Sequence, residues 1–284
     1  MAGAIDSPRS KYADKLAGSA DCVFTAELAA AQRGQWRDFF RQRIGPTFDG
    51  RIILEVGCWD AIFLSQIASR FPRSGFLGLD WKFKPLYDAG QRISGDGPGN
   101  VALIRGRGQD LGGWLGSGEA DEVWVFHPDP CDRESELDNR LIRESFLLNI
   151  HPLLRPSGLI CMKTDHPGYY QWILSLIGLP EPAWFAASRD PGTPRPVNAR
   201  VRARDLVPPE RLPPKSSATL ERFTVTMNSP NFWHDPAALQ YTFERYFSGE
   251  VTAFERRFVR KRFPIYYVEL QKNDFVESEM EIPF

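Results

Sequence analysis

Between residues 51 and 164, five short β-rich apolar runs are separated by stretches of helical period, and this alternation is the strongest constraint on the fold. The runs are 51–56 (RIILEV), 75–80 (GFLGLD), 100–104 (NVALI), 121–127 (DEVWVFH) and 157–164 (SGLICMKT). Between the first two, Leu64, Ile67, Ala68 and Phe71 recur at the spacing of one helix face, predicting a helix over 60–71. Helices are also predicted over 84–93 and 137–150, and a further apolar stripe runs through Tyr170, Ile173, Leu174 and Ile177. Strands alternating with helices of this length argue for parallel pairing, and the crossovers then have one hand. The chain is therefore expected to be α/β: a doubly wound, mostly parallel sheet of the seven-stranded type with helices on both faces.

The flanking segments divide as follows. Residues 1–45 are expected to form a polar arm and a helix over 25–43, with Leu28, Trp36, Phe39 and Phe40 on one face. Residues 46–180 are the core just described. Residues 181–220 are rich in Pro and Arg and lack periodicity, as expected of an irregular excursion or lid. Regular signals return at 221–227, near 236–247 and at 264–270, so that 221–270 completes the same domain with an antiparallel pair at the sheet edge. Residues 271–284 form an acidic tail.

Composition excludes more than it assigns. A formal net charge of −1 gives no general attraction to nucleic acid, so any such partner must be held by local clusters. No apolar run is long enough to span a bilayer, and the N-terminus lacks the apolar stretch of a secretion signal, which points to a cytoplasmic protein. Cys22, Cys58, Cys131 and Cys161 lack the spacing of a zinc site or a disulfide framework, and no metal is expected.

In a doubly wound sheet, ligands bind beyond the carboxyl ends of the strands. Those ends carry Glu55-Val56-Gly57-Cys58, then Asp80-Trp81, then His127-Pro128-Asp129-Pro130, then Lys163-Thr164-Asp165. An acid that ends the second strand is the usual acceptor for ribose hydroxyls, and Trp81 beside it offers a face for adenine. Alternatively, Asp80 merely caps the following helix. For His127, a hydrogen-bonded structural role is expected rather than that of a base.

The order Leu54-Glu55-Val56-Gly57-Cys58, Phe76-Leu77-Gly78-Leu79-Asp80, Phe126-His127-Pro128-Asp129-Pro130 and Lys163-Thr164-Asp165 resembles the tRNA (guanine-N7)-methyltransferase family. So do two later motifs, Tyr241-Thr242-Phe243-Glu244 and Pro264-Ile265-Tyr266-Tyr267-Val268-Glu269. The resemblance implies a Rossmann-like fold, S-adenosylmethionine as methyl donor, and N7 of a tRNA guanine as acceptor. It implies that Glu55, Gly57, Cys58, Asp80, Trp81, Gly108 and His127 surround the donor. Asp129 and Asp165 would accept from the guanine N1–H and N2–H groups, with Glu244 assisting.

Three departures qualify this. Trp59 and Ala61 stand where the family's second and third loop glycines belong. Arg107-Gly108 replaces an Asp-Ala that meets adenine, with Asp110 as a nearby substitute. Where the family has a dense basic cluster, residues 132–138 carry Asp132, Glu134, Glu136 and Asp138, and acids repel the phosphates that dominate RNA affinity. Arginines at 195, 200, 202, 204 and 211, with Lys215, and the run Arg256, Arg257, Arg260, Lys261 and Arg262 among phenylalanines offer basic groups elsewhere. That last run reads as a solvated helix face with an apolar stripe, or else as a substitute RNA surface. The departures leave two alternatives open: a methyltransferase acting on a small molecule such as a free purine, or a binding module without catalysis.

Overall fold

In the computed structural model, residues 12–16, 21–185, 203–261 and 263–273 are described. Eight strands make a mostly parallel sheet with helices around it. The chain divides into two compact units, 1–124 and 125–284.

In the first unit the strands are β1 (Val23–Phe24), β2 (Ile52–Val56), β3 (Gly75–Asp80), β4 (Val101–Arg105) and β5 (Ala120–Phe126, which runs on past Trp124), in the order β1-β4-β3-β2-β5. Every pairing among them is parallel, with Leu54 opposite Leu77 and Val123. Strands β2, β3 and β5 are buried along their whole length, which is why they read as predominantly apolar runs rather than alternating ones. The short β1, which adds an eighth strand, has no sequence signal: two residues leave none.

The helix expected over 25–43 is two helices, α2 (Ala26–Ala31) and α3 (Trp36–Ile44), following a short α1 (Ala13–Leu16). Gly34 breaks it by taking φ +80°, and the buried Glu119 carboxylate holds the break by accepting from the Gly34 and Trp36 amides at 3.0 and 2.8 Å. The predicted helices at 60–71 and 84–93 are α4 (Ile62–Arg70) and α5 (Phe83–Asp96).

In the second unit, β6 (Leu154–Thr164), β8 (Tyr266–Lys272) and β7 (Phe223–Ser229) lie in that order, antiparallel throughout. The two late strands pair as expected, with β8 against β6 and β7 outside it. Helices α6 (Glu144–Ile150), α7 (Pro167–Leu176), α8 (Ser217–Arg222), α9 (Pro236–Tyr241) and α10 (Ala253–Arg260) complete it.

The helix expected over 137–150 begins only at Glu144, because Arg140 is turned inward. Its guanidinium donates to the carbonyls of Pro130 and Gly168, both at 2.9 Å, and lies over the Tyr169 and Trp172 rings. Residues 134–139 instead form a 3-10 turn. In the segment expected to be irregular, 203–205 and 209–211 are 3-10 turns, but Ser217–Arg222 is helical, started by the Ser216 hydroxyl, which accepts from the Thr219 amide. Arg195, Arg200, Arg202, Arg262 and residues 274–284 of the acidic tail lie outside the described residues.

Candidate functional site

The first unit carries the loop after β2. Its backbone takes left-handed φ at Gly57 (+87°), Trp59 (+50°) and Ala61 (+51°). The two residues that replace glycines thus keep a conformation that glycine adopts freely, at a cost of about 1 kcal/mol each. The loop stays in this shape because neighbouring groups hold it. The Gly57 and Cys58 amides donate to the Leu79 carbonyl at 2.7 and 3.0 Å. The Asp80 carboxylate accepts from the Trp59 and Lys82 amides, both at 2.9 Å. The Cys58 side chain fills the core against Gly78, where a Cβ would approach the sulfur to 2.9 Å. Burial, reinforced by Glu55 and Asp80, drives the Cys58 thiol pKa well above its ordinary value, so it stays a neutral packing group.

Trp59 does not fill the space beside Gly57. A Cβ built on Gly57 would meet nothing within 4 Å. The Trp59 side chain is 51% exposed, and the Lys82 ammonium sits 4.3 Å from its ring centroid. Trp59 and Trp81, itself 54% exposed, line a cleft of about 660 Å³ together with Lys82, Phe83, Arg105 and Arg107. Gly108 opens the 3-10 turn after β4, and Arg107 and Asp110 are exposed. Glu55 is buried at the end of β2.

These features fit a nucleoside donor. Open space over a glycine admits close approach of a ligand to backbone. Two exposed indoles offer faces for a base. The Asp80 carboxylate, buried beneath the loop, has about four acceptor positions, of which the two amides use two.

The second unit holds the other predicted residues. His127, at φ +52°, follows β5, and Asp129 is exposed two residues on, its carboxylate accepting from the Cys131 amide at 3.2 Å. His127 lies between two carboxylates: Nδ1 is 3.6 Å from Asp165 and Nε2 is 3.4 Å from Glu255. Burial pulls the His127 pKa down, but the two acids outweigh it and raise it above 6.5. Glu255, fully buried on α10, also lies 3.4 Å from the Lys163 ammonium. Lys163 is itself buried, facing the rings of Phe126, Phe232, Trp233 and Phe247 at 4.7 to 5.1 Å. Burial alone would raise the Glu255 pKa, but Lys163 and His127 hold it down to about 2.

Asp165 and His127 are thus brought together, whereas Glu244 is exposed in a turn with no side-chain partner among the described residues. The turn is fastened from β8: Glu269, fully buried, accepts from Arg245 at 2.8 and 3.1 Å, from Tyr241 at 3.0 Å and from Tyr267 at 2.6 Å. This gives the motif ending in Glu269 a structural reason. Sequence reasoning missed Glu255, and it named Lys163 only as a strand-end residue. Thr252-x-x-Glu255 is a capping-box spacing that marks the start of α10, and the box is formed, with the Glu255 carboxylate accepting from the Thr252 amide at 2.8 Å. Nothing in the sequence pairs it with Lys163.

The acids of the loop at 132–138 meet few free cations among the described residues, Arg211 approaching Glu134 at 4.0 Å. Arg133 within the loop is paired with Glu136 at 3.3 Å, and Arg140 just after it is buried. Burial also lowers the Arg140 pKa, to about 10. Among the described residues no helix is long and apolar enough to cross a membrane.

A family model described as putative methyltransferase matches residues 49–190. A tRNA (guanine-N(7)-)-methyltransferase of Lactococcus lactis is 30% identical over 167 residues, covering 58% of this chain and 73% of that one. The enzyme of the same name from Cytophaga hutchinsonii is 33% identical over 148 residues, covering 52% and 64%. A bifunctional glycosyltransferase/methyltransferase of Fusobacterium nucleatum is 28% identical over 155 residues, 55% of this chain but 23% of that one. The chain therefore spans less than two thirds of the length of these last two relatives. The solved 16S rRNA methyltransferase KamB aligns with a TM-score of 0.49 at 14% identity, over 84% of this chain and 92% of that one. The match over residues 49–190 and the Lactococcus relative make this chain a member of the methyltransferase family that includes the tRNA (guanine-N(7)-)-methyltransferases.

Proposed function

We propose that the protein is an S-adenosylmethionine-dependent methyltransferase whose acceptor is N7 of a guanine in tRNA. The observation that carries the reading is the open space over Gly57, in a loop that keeps its left-handed shape despite Trp59 and Ala61. When bound, the donor supplies an electrophilic methyl group on a sulfonium. The chain's part is to hold and orient. Asp80 accepts from the ribose hydroxyls, and Trp81 covers the adenine. Glu55, Gly57, Cys58 and Gly108 belong to the same donor site, the first and third by shaping it from the core and the glycines by letting backbone come close. Guanine N7 carries an in-plane lone pair and needs no deprotonation, so positioning supplies most of the acceleration. Asp129 and Asp165 accept from the guanine N1–H and N2–H groups, and His127 fixes the Asp165 carboxylate from 3.6 Å. His127 thus serves as a positioning residue, and Glu244 assists from its exposed turn.

The acidic loop at 132–138 favours a second reading, transfer to a small molecule such as a free purine. The experiment that tests both begins with calorimetry of S-adenosylhomocysteine, for which micromolar-range affinity is expected and which Trp81→Ala should weaken about tenfold. No heat at high protein concentration would overturn the donor assignment. Methyl transfer to bulk tRNA compared with free guanosine then separates the acceptors: transfer to guanosine alone would replace the first reading with the second.

A further inference from the structure

The loop that bears the basic cluster in the related family is acidic here, and its nearest arginines are engaged, so RNA phosphates need another surface. Of the other basic residues noted in the sequence and described, Arg204 lies 4.0 Å from Asp205, Arg211 lies 4.0 Å from Glu134, and Lys215 stands singly with its stem against Gly178. Helix α10 differs. Arg256, Arg257, Arg260 and Lys261 are all exposed and line one shallow cleft of about 450 Å³. Among the described residues none of the four has an acidic partner. Four exposed cations on little more than one turn attract a polyanion strongly, and they repel one another until one binds.

The same helix reaches inward. Glu255, between Phe254 and Arg256, holds both His127 and Lys163. Phe254 is 48% exposed and packs against the His127 ring in a tilted arrangement with centroids 4.8 Å apart, and His127 in turn lies 3.6 Å from Asp165. A phosphate chain seated on the outer face of α10 would therefore rest on the same helix whose inner face, through Glu255 and His127, reaches Asp165. We propose that this outer face, Arg256, Arg257, Arg260 and Lys261, is the surface that docks the RNA phosphate backbone, in place of the acidic loop at 132–138. The inference rests on the RNA reading of the acceptor given above.

The test is the salt dependence of bulk tRNA binding by the full chain, compared with the variant Arg256→Gln, Arg257→Gln, Arg260→Gln, Lys261→Gln. Each phosphate contact contributes about 0.7 to 0.9 to the slope of log K against log salt, so the wild type should show a slope of at least about 3 in magnitude. The variant should flatten that slope by about 3 and bind tRNA more than about tenfold more weakly at low salt, while keeping its affinity for S-adenosylhomocysteine. Replacing acids on the other loop, Glu134→Gln with Asp138→Asn, should leave tRNA binding unchanged or tighter. An unchanged slope in the four-site variant, or loss of binding on neutralising the acidic loop, overturns the assignment of the surface and leaves the RNA reading standing. A wild type that ignores tRNA but binds S-adenosylhomocysteine overturns both, as does one that binds phosphatidylserine vesicles but not tRNA.

Discussion

Replacing Glu255 with Gln tests the account of the buried cluster most directly. The side chain is fully buried, with Oε1 3.4 Å from the His127 ring and 3.4 Å from the Lys163 ammonium. Its pKa lies at about 2, against an ordinary 4.5, and each pH unit between them corresponds to about 1.4 kcal/mol, so the ionised carboxylate favours the folded state by about 3 kcal/mol. Glutamine keeps the shape but removes the charge that balances Lys163 within its aromatic surroundings, and breaking one side of a buried pair typically costs about 3 to 5 kcal/mol. Urea unfolding at neutral pH should therefore show a loss of about 3 kcal/mol. The sign of the pH dependence follows from the depressed pKa. The contribution is complete above 4.5 and is lost as the pH falls towards 2, so wild type and variant should converge in acid. Lys163→Met in the Glu255→Gln background should recover part of the loss, because an apolar chain needs no counterion among four rings. A neutral-pH difference below about 1 kcal/mol, or a double variant no more stable than Glu255→Gln alone, would refute the reasoning.

Three further outcomes are expected. Glu119→Ala removes the acceptor for the Gly34 and Trp36 amides and should cost about 3 kcal/mol, with hydrogen exchange at those amides accelerating ahead of the sheet; uniform exchange would contradict it. Gly106→Ala places a Cβ 1.9 Å from the Trp114 ring, which must move, so the melting temperature should fall and the Trp114 environment change by fluorescence; a variant as stable as the parent would show that the contact is slack. His127 has a raised pKa, so its ionic contacts stabilise the fold fully below 6.5 and fade as the pH climbs past its folded-state value. The stability gap between wild type and His127→Gln should accordingly be widest in mild acid and close in alkali, and a gap independent of pH would remove the two carboxylates as its cause.

The strands of the first unit and their parallel character are legible in the chain without coordinates. Strands buried on both faces are predominantly apolar rather than alternating, and the runs at 52–56, 75–80 and 120–126 carry that record, with Glu55, Asp80, Asp121 and Glu122 as buried exceptions. The sequence by itself also placed Gly57, Asp80, Asp129 and Asp165 at strand ends, because strand ends are legible wherever an apolar run stops. Tertiary structure alone decided what those ends do. Whether Trp59 obstructs the loop depends on its rotamer and on Lys82, which is 23 positions away in the chain. The break at Gly34 depends on Glu119, the delayed start of α6 on where the Arg140 side chain finds its carbonyls, and the charge of His127 on Glu255, 128 positions later. Local propensity and periodicity are written in neighbouring residues. The pairing of buried charges is set by which distant side chains meet once water is excluded, and no short window of sequence contains that information.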